Sequence, residues 1–213
     1  MLNLSKRQAP QSRFEWSPVA GSSSTILATV DQWMNDDDHR YGALRESYSF
    51  EYAVLEQADK SKNTNFAFDT YDTYEWYLNA GPLQTLNDKY LHHSLPYWND
   101  EMAHPNYDDF WKKEAWVNQL PASTVPNLNV AGFWDQEDPW GPWEIFRHAE
   151  EHDPDSTNFM VAGPWFHGGW HAPEGDSLGP LGFSGHKTAL EFRKEIEAPF
   201  FRHYLHESGD KPA

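Results

Sequence analysis

The 213-residue sequence predicts an α/β fold, and three observations carry the prediction. Two short apolar runs, NLNVAG at 127–132 and NFMVAG at 158–163, each end in glycine, as buried parallel strands often do. A helix-compatible stretch at 140–152 separates them, and the order strand, helix, strand is the repeating unit of a parallel sheet. Ahead of both runs, across 41–120, aromatic and apolar residues recur at helical spacing.

Taken in chain order, residues 1–40 are polar and mixed, include the small-residue string GSSST at 21–25, and read as a poorly specified N-terminal segment. Residues 41–120 form a helical region divided by Gly81-Pro82, Leu95-Pro96 and His104-Pro105. Proline has no N–H to give a helix and drives the residue before it out of helical conformation, so several short helices are expected. In the first of these, Tyr48, Tyr52 and Leu55 share one stripe. From 121 to 213 the pattern becomes α/β, with the two strands at its start and an amphipathic helix at its end. Thr188 and Glu191 have the spacing of a capping box for that last helix, and Leu190, Ile196, Phe200, Tyr204 and Leu205 can line one face.

Composition narrows the function classes. The formal charge is −17, from 33 acidic and 16 basic residues, so the averaged field repels phosphate backbones and anionic lipid heads. Neither nucleic acid nor a membrane is expected as a partner. No apolar run approaches the roughly 20 residues that cross a bilayer, and residues 1–10 lack the apolar stretch of a signal peptide. With no cysteine, thiolate catalysis, disulfides and Cys-ligated zinc are excluded, while compartment and oligomeric state stay open.

In open α/β sheets functional groups gather where strands end and loops begin. The first run leads into Phe133-Trp134-Asp135-Gln136-Glu137-Asp138, the second into Pro164-Trp165-Phe166-His167-Gly168-Gly169. An acid after one strand and a histidine after the next is the order of the last two members of a hydrolase triad, in which the carboxylate fixes the imidazole tautomer. Helix capping by Asp135 and a loop role for His167 is the plainer alternative on spacing alone. His167, His171 and Asp176 could be imagined around a metal, but Gly168-Gly169 interrupts the helical register that would aim both rings, and no metal or other cofactor is expected. His92-His93, His148 and His203 read as surface or packing residues.

The wording of these stretches adds to their spacing. WDQEDPWG at 134–141, GPWFH at 163–167, SLGPLGF at 177–183 and EAPFFRHYL at 197–205 resemble the α-amino-acid ester hydrolases and the related Xaa-Pro dipeptidyl-peptidase, cocaine-esterase-like and acylase enzymes. The resemblance implies part of an α/β-hydrolase fold, its C-terminal strands and helices, with 41–120 as a helical cap. It assigns Asp135 as the triad acid and His167 as the base. It also assigns Glu137, Asp138 and, from WMNDDD at 33–38, Asp37 to a carboxylate pocket for the substrate's α-ammonium group, with Asp38 as a competing position. The expected substrate is a small ester, amide or peptide.

Such an enzyme needs a serine on a sharp strand-to-helix turn, and no serine is expected to occupy one here. Ser23, in the string at 21–25, lacks the closing glycine; SPVA at 17–20 and Asp31-Gln32-Trp33 resemble sequence that follows the nucleophile, with 21–30 as an insertion. The expectation is therefore a fragment, inactive alone, of a hydrolase acting on esters or amides of α-amino acids. Two alternatives remain open at this point. One is removal of a dipeptide before proline, which also requires recognition of a free ammonium. The other is a non-catalytic carbohydrate-binding module with aromatics on a flat sheet face.

Overall fold

The computed structural model describes residues 24–26, 31–57, 65–120, 125–206 and 209. It divides into two compact units, Met1–Ala28 with Leu120–Ala213, and Thr29–Gln119. The first described element is strand β1 (Ser24–Ile26), which belongs to the first unit.

The Thr29–Gln119 unit opens with a two-strand hairpin, β2 (His39–Arg40) and β3 (Ala43–Leu44), turned at Tyr41-Gly42 with φ of 52° and 80°. Positive φ at both central residues is what a tight hairpin turn of this hand demands. Five short helices follow: α1 (Glu46–Gln57), α2 (Thr73–Ala80), α3 (Leu83–Thr85), α4 (Pro96–Ala103) and α5 (Asp109–Glu114). Between α3 and α4 runs a π-helical turn, Leu86–Leu91. The breaks fall where the proline and glycine pairs stand: α2 stops before Gly81, α4 begins at Pro96 and stops before His104. Asp72 and Asp108 cap α2 and α5, accepting the N–H of Glu75 at 3.2 Å and of Phe110 at 2.9 Å.

Phe50, Ala53, Trp76, Tyr77, Leu86, Leu91 and Trp98 form this unit's core. The buried face of α1 is thus Phe50 and Ala53, not the expected Tyr48, Tyr52 and Leu55 stripe. Tyr48 and Tyr52 stack on each other at 4.8 Å while half-exposed, and Leu55 is exposed. A tyrosine keeps its hydroxyl where it can find a polar partner, so it settles at the rim while phenylalanine takes the interior.

The other unit is built on a parallel sheet in the order β1, β4 (Asn127–Gly132), β5 (Asn158–Gly163), with α6 (Gly141–Glu150) joining β4 to β5. β4 is central and buried along its whole length, whereas β5 is half-buried. Beyond β5 come the small hairpin β6 (Ser177–Leu178) and β7 (Leu181–Gly182), then α7 (Thr188–Phe192), a π-helical turn Arg193–Glu197, and α8 (Ala198–His206).

The expected terminal helix is real but differs in two respects. Its buried residues are Ala189, Phe192 and Phe200, with Phe201 and Tyr204 packed alongside, while Ile196 and Leu205 are exposed. Pro199 cannot donate to the carbonyl four residues back, and the wide turn just before it shifts the face that an unbroken helix would have presented. The cap also moves by one residue. Lys187 is the N-cap; Glu191 reaches back to its N–H at 3.1 Å, while Thr188 turns its hydroxyl elsewhere. The box is therefore half formed, with the glutamate in its role and the threonine in another.

Candidate functional site

The acid and the histidine stand on the loops that leave the carboxyl ends of β4 and β5. Parallel pairing matches Asn127 with Asn158 and runs to Gly132 with Gly163, so both loops depart at one level. Beyond the glycines the backbones stay joined: Phe133 donates to the Gly163 carbonyl at 2.9 Å and Trp134 to the Trp165 carbonyl at 3.1 Å. The glycines make this approach possible. A Cβ on Gly132 would lie 2.3 Å from the Trp165 carbonyl oxygen, and one on Gly163 would lie 2.5 Å from the Trp165 ring.

Asp135 is buried, with its side chain 1% exposed. Its Oδ1 accepts the backbone N–H of Glu137 at 2.8 Å and of Asp138 at 3.0 Å, and lies 3.3 Å from His167 Nδ1. That last distance sits just beyond the 2.6–3.2 Å of a close hydrogen bond. Burial pushes the Asp135 carboxyl up, but the His167 contact and the two backbone donors outweigh it and hold the group below its ordinary range. His167, about one-third exposed, is raised to about 8, first by the Asp135 hydrogen bond, opposed by burial, then by the charges of Asp135, Glu137 and Asp138. Glu137 Oε2 stands 3.4 Å from Nε2 and Asp138 Oδ2 3.7 Å from Nδ1. The structure thus brings four of the five sequence-predicted residues together around one imidazole. Chemically, a histidine with one nitrogen on a buried carboxylate is oriented to take a proton at the other.

Asp37 belongs to the Thr29–Gln119 unit, where it is buried and accepts the Tyr48 hydroxyl at 3.0 Å. Its neighbour Asp38 is also buried and takes a hydrogen bond from Tyr97, so both aspartates have tyrosine partners. His39, which the sequence pattern left unremarked, is buried with its ring 4.0 Å from that of Trp33, and burial lowers it to about 4.

Ser23 and residues 17–20 lie outside the described residues, and 24–26 are strand. One string with the spacing Gly-x-Ser-x-Gly does occur and the expectation above passed over it: Gly175-Asp176-Ser177-Leu178-Gly179. Ser177 is exposed, begins the β6–β7 hairpin rather than a strand-to-helix turn, and sets its hydroxyl 3.4 Å from Asp176 Oδ1. It follows the histidine in the chain, the reverse of the order that α/β-hydrolases use. Among the described residues no group of three or more His, Asp or Glu is placed to hold a metal ion.

Residues 22–169 match the sequence model of the X-Pro dipeptidyl-peptidase (S15) family. Among solved structures, an aminopeptidase from a marine sediment archaeon, Thaumarchaeota archaeon, is 35% identical with a TM-score of 0.79, over 86% of this chain and 31% of that one. An α-amino acid ester hydrolase is 32% identical with a TM-score of 0.74, over 86% of this chain and 30% of that one. The chain therefore spans under a third of the length of these two relatives. No curated protein sequence matches it.

Proposed function

Because the chain belongs to the X-Pro dipeptidyl-peptidase (S15) family of hydrolases, we propose that it contributes the acid, Asp135, and the base, His167, of a serine-type triad acting on esters or amides of α-amino acids. The observation that carries the proposal is the buried Asp135 carboxylate on His167 Nδ1 at the carboxyl edge of the sheet. On this reading Asp135 holds the imidazole in one tautomer, Nε2 takes the proton of a serine hydroxyl as it attacks the carbonyl, and the same nitrogen returns it to the leaving alcohol or amine. Among the described residues none is assigned as the serine or as an oxyanion donor, and this reading takes both from elsewhere in the enzyme.

Glu137 and Asp138, already beside the imidazole, and Asp37 are the carboxylates proposed to receive the substrate's α-ammonium group. Carboxylates gathered at one imidazole, as Glu137 and Asp138 are, repel, and a bound cation relieves that repulsion while fixing which face of the acyl group is attacked. A second reading, release of amino-terminal residues from peptides, is favoured by the family match and by the aminopeptidase among the relatives. It needs the same ammonium pocket, so comparing amino esters with Xaa-Pro anilides separates the two.

The test begins with the chain alone, for which no hydrolysis of phenylglycine methyl ester above background is expected. Expressed with the coding sequence directly upstream, it should gain turnover that His167→Ala reduces by about four orders of magnitude or more. Turnover that survives His167→Ala in the extended protein would rule the assignment out.

A further inference from the structure

The turn that carries His167 bends through a left-handed glycine. Gly168 has a φ of 71° and a Cβ there would meet nothing within 4 Å, so glycine serves conformation rather than space at that position. Yet both flanks of the turn are tied to the start of the C-terminal helix. Upstream, the Trp165 indole donates to Thr188 Oγ1 at 3.0 Å, and that hydroxyl donates to the Gly175 carbonyl at 2.7 Å. Downstream, one guanidinium gathers three backbone carbonyls: Arg193 Nη1 donates to Trp170 at 2.8 Å and to Ala172 at 2.7 Å, and Nη2 donates to Pro173 at 2.8 Å.

Three acceptors spread over four residues suit the planar fork of arginine, whose donors diverge at fixed angles, better than the point charge of lysine. The anchorage behind the fork is firm. Phe192, the residue before Arg193, is buried in the core with Trp165 and Trp170, and Arg193 opens the π-helical turn that brings Phe200 into the same core. We propose that Arg193 is a positioning residue for His167: by gathering the carbonyls of Trp170, Ala172 and Pro173 it holds the glycine-rich turn so that the imidazole stays on Asp135. The inference rests on the reading of Asp135 and His167 as a working pair. It goes beyond that reading in assigning their alignment to a side chain that touches neither.

The experiment reads the proton on His167 instead of turnover, so it needs no nucleophile. The complete 213-residue chain, labelled at histidine, is titrated by NMR, with His167→Gln identifying the signal. In the unaltered chain the midpoint is expected at about 8. Arg193→Ala should move it toward the ordinary 6.5, and Arg193→Lys should restore only part of the difference, since one ammonium cannot span the three carbonyls. Arg193→Gln, which keeps an amide donor and most of the stem, carries the same comparison if the alanine variant does not fold. A lowered melting temperature with an unmoved His167 midpoint would make Arg193 a structural residue only and overturn the proposal. A midpoint near 6.5 already in the unaltered chain would instead overturn the pairing itself, and the inference with it.

Discussion

Asp135 Oδ1 serves three N–H donors at once, two from the backbone immediately after it and one from the imidazole. The two backbone donors fix the carboxylate whether or not His167 is charged, so Asp135→Asn should leave the fold intact while changing the proton balance. An amide turned to keep those donors on its oxygen still faces Nδ1 with an acceptor, but without the charge that stabilises an imidazolium. The His167 midpoint should therefore fall from about 8, and in the extended enzyme turnover should drop by about four orders of magnitude. The sign for stability follows from the raised value. A histidine whose folded midpoint lies above its unfolded one stabilises fully below about 6.5 and loses that contribution as pH rises through about 8. Urea midpoints of the unaltered chain minus those of His167→Gln should accordingly shrink between those pH values. A difference that grows over that window would contradict the pairing. Glu137, 3.4 Å from Nε2, is the residue for the specificity test: in the extended enzyme Glu137→Gln should cost roughly 10-fold or more in selectivity for phenylglycine methyl ester over its des-amino analogue. Equal loss on both esters would leave Glu137 a structural role.

Among the elements, β4 and β5 hold the pair through their terminal glycines. Gly132→Ala and Gly163→Ala each force a Cβ within 2.5 Å of Trp165, against the backbone in one case and the indole in the other. Each should cost on the order of 1–3 kcal/mol in chemical unfolding, with Gly132→Ala the worse because a carbonyl cannot rotate away. Gly182→Ala, in β7, meets nothing within 4 Å and should leave the midpoint unmoved. Both strands, α6 and the two loops were legible in the sequence because a buried parallel strand is a continuous apolar run, and its end is marked by the glycine that close backbone approach requires. The proline-marked helix breaks were legible for the same kind of local reason. What could not be read was anything set by partners far along the chain. The rim position of Tyr48 depends on Asp37, the displaced cap depends on the Thr188 hydroxyl accepting from Trp165 and donating to Gly175, and the Arg193 clamp leaves no mark in its own neighbourhood. The π-helical turn before Pro199 likewise rotated a face that ideal periodicity would have placed elsewhere.

For the whole molecule, a formal charge of −17 combines with carboxylates taken out of water. Asp31 is raised mainly by burial, and Glu101 well above its usual range by burial and then by the charge of Asp38. A carboxyl whose folded midpoint is raised binds more protons folded than unfolded, so it adds stability as pH falls. Asp135 and Asp153 are shifted the other way and lose their contribution once pH falls through their depressed values. The two shifted histidines bracket the optimum: His39, lowered by burial to about 4, loses its contribution as pH falls below about 6.5, and His167 loses its own as pH rises through about 8, which places the maximum of stability near pH 6.5. Added salt should raise the thermal midpoint at pH 8 by screening the net charge. A stability that climbs steadily from pH 5 to 8 would refute this. None of the described helices is long and apolar enough to cross a membrane.

The register of β4 and β5 carries one more consequence. Asn127 faces Asn158, Val130 faces Val161, Ala131 faces Ala162 and Gly132 faces Gly163, so the two strands are near copies laid side by side. A strand that recognises its own likeness in parallel cannot tell the neighbour in its chain from the equivalent segment of another molecule. During refolding, β5 of one chain can take the place meant for β5 of the next, and such exchange grows with concentration while correct pairing does not. The yield of correctly refolded chain recovered from urea should therefore fall as it is refolded at higher concentration, with the lost material appearing as larger, exchanged assemblies that keep their helical signal.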